Sequence, residues 1–84
     1  MIESFHQEGI LLVETVARAL VDDVMAVHVS VMQGENTTVF NLTVARPDIG
    51  KVIGRQGKNA AMLRQLLSAW SAKHKRRSVL EILE

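Results

Sequence analysis

Two glycines three residues apart, Gly54 and Gly57, interrupt a helical pattern and constrain this chain more than any other feature. Glycine carries no Cβ, so the turn between them is expected to be tight and open to close approach by a ligand. The helical pattern that begins near Lys58 adds free backbone N–H groups and the positive end of a helix dipole. Basic side chains crowd onto the same turn, namely Lys51, Arg55 and Lys58. The sequence therefore predicts an anion-binding turn, with phosphate as the expected anion.

The spacing around the glycines excludes two other phosphate-binding loops. A Walker loop needs a glycine five residues before its Gly-Lys pair and a Ser or Thr after it, where this chain has Val52 and Asn59. A dinucleotide fingerprint needs a glycine two residues before Gly54, which is again Val52. The remaining pattern of helix, G-x-x-G and helix matches the phosphate-clamping loop of KH domains. The alternative is an ordinary helix–helix turn with solvated polar residues.

Composition indicates one domain that folds without covalent or metal cross-links. The 84 residues are 48% hydrophobic, and a chain of this length buries roughly 60% of its unfolded surface. No cysteine is present, which excludes disulfides and a thiolate zinc site and fits a reducing, cytoplasmic location. Apolar runs are only a few residues long, so we expect neither a membrane span nor a signal-peptide core.

Charge is distributed unevenly, although the net charge is only +1. Residues 1–48 contain two basic and seven acidic residues, a net of −5, whereas residues 49–84 contain eight basic and two acidic residues, a net of +6. The basic half includes both glycines and a second cluster, Lys73-His74-Lys75-Arg76-Arg77. Such asymmetry favours a nucleic-acid partner that the overall charge conceals.

Hydrophobic periodicity predicts an α-β-β-α-α-β order. Residues 1–8 show no clear pattern and are expected to be an N-terminal lead-in that frays or forms a turn, so that the domain occupies residues 9–84. Pro47 is expected to end the second strand, and Asp48 to cap the short helix after it. The predicted helices cover 9–23, 49–53 and 59–73, and the predicted strands cover 26–33, 37–45 and 78–83.

The connections between these strands predict their directions. The short turn Gly34-Glu35-Asn36 makes the first two strands an antiparallel hairpin. The third strand follows a helical crossover that is long enough to place it parallel beside the second. We therefore expect an α+β fold in which a three-stranded mixed sheet has helices packed on one face.

With this order and the string Val52-Ile53-Gly54-Arg55-Gln56-Gly57-Lys58, the chain resembles a type II KH domain. More closely, it is similar to the small bacterial single-KH RNA-binding proteins of the KhpA family. The similarity extends over nearly the whole chain from Leu12. The chain departs from the family's pattern at two places, both outside the loop. Val24 stands where the family often has a proline, and residues 1–8 lie outside the pattern.

The resemblance implies that single-stranded RNA lies in a groove beside the glycine loop. One wall is formed by the helices around the loop, and of Val52 and Ile53 we expect one in the core and the other in the groove. The other wall is the last strand and the connection before it, although residues 73–77 would also suit a solvated helix end. The expected RNA-binding residues are Ile49, Lys51, Val52, Ile53, Gly54, Arg55, Gln56, Gly57, Lys58, Lys75, Arg76 and Arg77.

The residue types argue against catalysis. The three histidines have no metal-ligand spacing, Asp22-Asp23 is more simply a solvated pair, and no nucleophile motif is present. The three Phe and Trp residues are too few and too scattered to form a base-stacking platform. We expect no enzyme, no cofactor, no metal, no small-molecule substrate and no membrane partner.

Two non-enzymatic functions remain open from the sequence. The chain could hold single-stranded RNA as an RNA chaperone or post-transcriptional regulator, or it could serve mainly as a dimerisation and protein-interaction module. One KH groove clamps about four nucleotides, so a second linked copy would increase avidity. The resemblance implies a homodimer, a heterodimer with a larger KH-containing protein, or both.

Overall fold

The structure, a computed structural model that describes residues 3–84, is a layer of helices on a three-stranded sheet. The helices are α1 (Ser4–Leu20), α2 (Ile49–Ile53) and α3 (Lys58–Lys73), and the strands are β1 (His28–Gln33), β2 (Thr38–Thr43) and β3 (Ser78–Ile82). Single 3₁₀ turns lie at Val24–Ala26, Arg46–Asp48 and Arg55–Gly57. The predicted α-β-β-α-α-β order is confirmed.

The sheet has the predicted mixed topology, in the order β1-β2-β3. β1 and β2 are antiparallel, with Val31 opposite Phe40, and their hairpin closes where the Gly34 N–H donates to the Thr37 carbonyl at 2.8 Å. β3 runs parallel to β2 along its other side. Alternation along β2 and the residue after it buries the side chains predicted for the core, Phe40, Leu42 and Val44.

α1 and α3 pack together over the sheet through their apolar faces. At Gly9 of α1, a Cβ would lie 2.8 Å from Trp70 Cη2 of α3 and still closer to the Phe40 ring. Glycine is therefore required sterically where α1 crosses these two rings. The buried apolar side chains that the three helices contribute are Phe5, Val13, Ala17, Val52, Ala60, Leu63 and Leu67.

α1 begins at Ser4, earlier than the predicted start near Gly9. Residues 4–8 are helical because Phe5, only 5% exposed, stacks on Trp70 with ring centroids 4.3 Å apart. The packing partner lies far along the chain, so periodicity near the N-terminus gives no sign of it. Residues 1 and 2, which the predicted lead-in also included, lie outside the described residues.

The sequence predicts that the Asp48 side chain caps α2, but in the structure it does not. No side-chain hydrogen bond caps this helix, and Asp48 Oδ2 instead accepts the Asp23 backbone N–H at 3.0 Å. Asp48 is almost fully buried, and the Asp23 N–H holds the pKa of its carboxyl below the usual range. Asp48 therefore ties the α1–β1 connection to the start of α2, which fixes the short helix leading into the glycine loop.

Candidate nucleic-acid interface

The loop between α2 and α3 is a left-handed turn that depends on its two glycines. Gly54 has φ 77° and ψ 171°, Gly57 has φ 75° and ψ 14°, and the exposed Gln56 between them has φ 56°. A Cβ on Gly54 would lie 2.9 Å from the Asn59 backbone nitrogen, so both φ and sterics require glycine there. A Cβ on Gly57 would meet nothing within 4 Å. The backbone at Gly57 is thus open to a ligand.

α3 begins beside this loop without a side-chain cap. Gly57 is its N-cap residue, and no side chain hydrogen bonds to the first turn. Asn59 Nδ2 donates instead to the Lys51 carbonyl oxygen at 2.8 Å, which holds the end of α2 against the start of α3. The positive end of the dipole of this 16-residue helix therefore faces the loop, where it favours an anion.

The three basic side chains predicted at the loop differ in whether a carboxylate lies close enough to pair with them. Arg55 and Lys58 are exposed, and no carboxylate among residues 3–84 lies within 4.0 Å of either charge. Lys51 Nζ, by contrast, lies 3.3 Å from Asp22 Oδ2 and 3.4 Å from Asp48 Oδ1. Asp22 first, and then Asp48, raise the pKa of Lys51. Two carboxylates therefore offset the Lys51 charge, while Arg55 and Lys58 stay open to a phosphate.

α2 presents a partly apolar wall next to the loop. Val52 is fully buried, whereas Ile49 and Ile53 are partly exposed. Val52 is thus the one of Val52 and Ile53 that lies in the core, while the position of Ile53 in a groove stays a prediction. The Val52 side chain supports α2 from the core and does not line a groove, so Ile49 and Ile53 supply the apolar part of the wall.

Lys75, Arg76 and Arg77 follow α3, whereas the glycine loop precedes it, and their contact with RNA stays a prediction. A helix of 16 residues, such as α3, is about 24 Å long. The three residues lie beside the β1–β2 hairpin, around an open pocket. The two basic clusters therefore stand at opposite ends of α3.

Arg76 is held by the N-terminal turn of α1. It pairs with Glu3, and its guanidinium carbon lies 4.0 Å from the centre of the Phe5 ring. The guanidinium holds the pKa of the Glu3 carboxyl below its usual range. Sequence reasoning missed this contact because the two partners stand at opposite ends of the chain. In the sequence, the one sign of this contact is the opposite net charge of residues 1–48 and 49–84.

Comparison with known proteins identifies the family of this chain. Residues 11–82 match the family described as the KhpA/KhpB KH domain. The chain belongs to this family. A protein of Aquifex aeolicus named RNA-binding protein KhpA is 47% identical over 87% of this chain and 92% of its own length. Proteins of the same name from Borreliella burgdorferi and Caldanaerobacter subterraneus are each 44% identical, over 89% and 96% of their lengths.

This KH domain also has the fold of part of a larger protein. The crystal structure of an Aquifex aeolicus Era variant bound to GDP.AlF4- superimposes with a TM-score of 0.66 at 15% identity. The match covers 98% of this chain and 31% of that one. At this identity the similarity concerns the fold alone, and it agrees with the type II KH arrangement of helices and strands described above.

The family agrees with the expectation that this KH domain is not an enzyme, since the relatives are named as binding proteins. Among residues 3–84, no group of three His, Asp or Glu side chains comes together in a way that could hold a metal ion. Within the same residues, none of the helices has the length and apolar character needed to cross a membrane.

Proposed function

We propose that this chain binds single-stranded RNA and holds backbone phosphates at the loop 54–57. The observation that carries the proposal is the loop itself, where left-handed backbone, an uncapped helix start and two cations without carboxylate partners in the described residues meet. The relatives named RNA-binding protein KhpA support the same class of ligand.

Charge and backbone act together on the phosphate in this proposal. The Arg55 guanidinium can donate two parallel hydrogen bonds to phosphate oxygens, whereas Lys58 acts as a point charge. The N-terminus of α3 adds the helix dipole, and Gly57 lets the strand approach the backbone. Ile49 and Ile53 offer aliphatic surface to the base next to the bound phosphate.

The same arrangement favours unpaired RNA with a weak sequence preference. The aliphatic wall contacts the face of a base without bonding to its edge, and no aromatic residue lies within the segment 49–59. Side chains also do not reach bases in the deep, narrow groove of an A-form duplex. Binding of this kind suits an RNA chaperone or post-transcriptional regulator in the cytoplasm.

The double variant Arg55→Asp/Gln56→Asp tests the loop. Both positions are exposed, and Asp tolerates the left-handed backbone at 56, so the fold is expected to persist. RNA affinity, measured by fluorescence anisotropy on an unstructured strand, is expected to fall by about tenfold or more because attraction to phosphate becomes repulsion. The matched control, Ser30→Asp/Thr43→Asp, adds two carboxylates at exposed sheet positions and should bind like the parent.

Two results would contradict this proposal. A folded Arg55→Asp/Gln56→Asp variant that binds RNA like the parent would exclude the loop as the site. Tighter binding of the parent to a perfect duplex than to an unstructured strand would exclude the preference for unpaired RNA.

A protein-interaction module is the second candidate function, and an apolar groove between α1 and α3 favours it. Leu11 is 58% exposed and Leu66 is 42% exposed, beside Leu12, Val16 and Trp70. Neighbouring exposed apolar side chains mark contact surfaces. The partner would be a second copy of the chain, a larger KH-containing protein, or both. RNA binding that persists at concentrations where the chain is monomeric would favour the first function over this one.

A further inference from the structure

The glycine loop has a backbone conformation that contacts outside the loop must support. Gly54, Gln56 and Gly57 all have positive φ, and Gln56 has it although it carries a side chain. A non-glycine residue in this region persists only where the surrounding structure fixes it. α2, which leads into the loop, has only five residues, whereas an isolated helix needs about 12 to 15 to be stable in water. Side chains from other parts of the fold must therefore hold α2 and the loop in place.

Two side chains hold α2, one at each end. At its start, the buried Asp48 carboxylate accepts the Asp23 backbone N–H at 3.0 Å. At its end, the carbonyl groups of the last turn lack partners within the helix. The Lys51 carbonyl oxygen in this turn accepts a hydrogen bond from Asn59 Nδ2 at 2.8 Å. Asn59 therefore fixes the end of α2 that runs into the loop.

The Asn59 side chain also packs against the first glycine of the loop. A Cβ built on Gly54 would lie 2.7 Å from Asn59 Cγ and 2.8 Å from Asn59 Cβ. The space next to the Gly54 Cα is thus filled by this side chain. Asn59 therefore supports the loop from below, while its amide bonds to the helix before it.

The requirements of α3 do not explain an asparagine at position 59. Asn59 is the second residue of α3, and asparagine is among the less favourable residues inside a helix. Its usual role at a helix start is that of the N-cap, but the N-cap of α3 is Gly57, and no side chain caps this helix. A residue that breaks a local preference is expected where a function elsewhere compensates for it. Here the amide serves α2 and the loop.

We propose that Asn59 is a positioning residue for RNA binding, which holds the glycine loop in its binding conformation before RNA arrives. The proposal rests on RNA binding at the loop. Without the bond to Lys51, the end of α2 and the loop populate other conformations, and binding then has to order them. Affinity falls in proportion to the population of the binding conformation. Asn59 carries no charge, so the number of neutralised phosphates stays the same.

Asn59→Ala tests this role, with Asn41→Ala on the sheet face opposite the core as the matched control. Affinity of Asn59→Ala for an unstructured RNA should fall about fivefold, the value of one hydrogen bond, with the slope of log affinity against log salt unchanged. In the free protein, hydrogen exchange of the Gly57 N–H, which donates to the Gly54 carbonyl at 3.1 Å, should become faster. Asn41→Ala should match the parent in affinity, slope and exchange.

A double-mutant cycle separates positioning of the loop from a general effect on stability. In the Arg55→Asp/Gln56→Asp background, Asn59→Ala should lower RNA affinity no further, because the loop no longer holds a phosphate. Asn59→Asp covers the case in which Asn59→Ala does not fold. Its side chain has the same shape and its charge is favoured at a helix start, but the carboxylate cannot donate to Lys51. Exchange of the Gly57 N–H should be faster in this variant too.

Three results would overturn the role of Asn59. A folded Asn59→Ala variant could bind RNA like the parent. Its affinity could fall while exchange of the Gly57 N–H is unchanged, which would mean that Asn59 contacts RNA itself. Asn59→Ala could also weaken binding equally with and without the Arg55→Asp/Gln56→Asp change. Failure of the loop proposal has a different signature, because Arg55→Asp/Gln56→Asp would then bind RNA like the parent whatever Asn59→Ala does to the exchange.

Discussion

The two ends of α3 carry similar positive charge but differ in backbone conformation and in ion pairing. At the loop end, Gly54 and Gly57 hold a left-handed turn, the helix is uncapped, and Lys58 has no carboxylate within 4.0 Å among residues 3–84. At the other end, the N–H groups of residues 74–76 are all bonded and Arg76 is paired. Positive charge alone therefore does not identify a binding site; the backbone conformation and the ion-pair partners around it distinguish an open site from a structural one.

The structural end of α3 is held by an aromatic cluster formed by Phe5, Trp70 and His74. The Phe5 and Trp70 rings are stacked at an interplanar angle of 17°, and His74 packs edge-on against both. Trp70 Nε1 also donates to Glu8 Oε1 at 3.3 Å. Phe5 and Glu8 precede the segment 11–82 that matches the family, and the first turns of α1 complete the core at this end.

Phe5→Ala is expected to have the largest effect on stability and little effect at the loop. Removing a buried aromatic ring costs about 3 kcal/mol of unfolding free energy, since the cavity beside Trp70 cannot collapse fully. Leu11→Ala, in the same helix but 58% exposed, should cost less than about 0.5 kcal/mol. Urea unfolding measures both values. A cost below about 1 kcal/mol for Phe5→Ala would show that the N-terminal turns do not pack as described.

The fold could be predicted because its signals are local. Alternation along 37–45, the turn at Gly34 and the proline at 47 define the hairpin, and the G-x-x-G spacing locates the loop. What could not be predicted depends on contacts between distant residues. The ion pair of Lys51 with Asp22, 3.3 Å away, is one such contact, and Asp48 appeared to be a cap until Asp23 proved to be its partner. The contact of residues 75–77 with RNA rests on the family resemblance and stays a prediction.

The two glycines of the loop should differ in their tolerance of alanine. Gly54→Ala combines positive φ with contact against the Asn59 backbone nitrogen, so we expect a loss of about 2 kcal/mol in stability. Gly57→Ala adds a Cβ in open space and should cost about 1 kcal/mol through its positive φ alone. Thermal unfolding and RNA binding of both variants provide the measurement. Equal costs would mean that contact with Asn59 does not restrict the loop.

The smallest expected effects are on the salt dependence of RNA affinity, which should change more on loss of Lys58 than on loss of the ion-paired Lys51. Each phosphate contact on a single strand contributes about 0.7 to the slope of log affinity against log salt. Lys58→Ala should therefore make the slope shallower by about 0.7. Lys51→Ala should change it less, because Asp22 and Asp48 already offset the Lys51 charge. Arg18→Ala, whose guanidinium is paired with Glu14 at 3.7 Å, should not change it.

Slopes are more informative here than affinities, because partial unfolding lowers affinity without removing a phosphate contact. Lys51→Ala leaves the buried Asp48 carboxylate without its cation, so this variant should lose stability as well as some affinity. A variant that melts like the parent but has a shallower slope has lost a contact to RNA. If Lys51→Ala shows the full change of about 0.7, then the Asp22 and Asp48 ion pairs open when RNA binds, and Lys51 turns to the phosphate. If Lys58→Ala leaves the slope unchanged, the phosphate is held by backbone N–H groups and Arg55. The backbone at the start of α3 then contributes more to RNA affinity than the Lys58 side chain does.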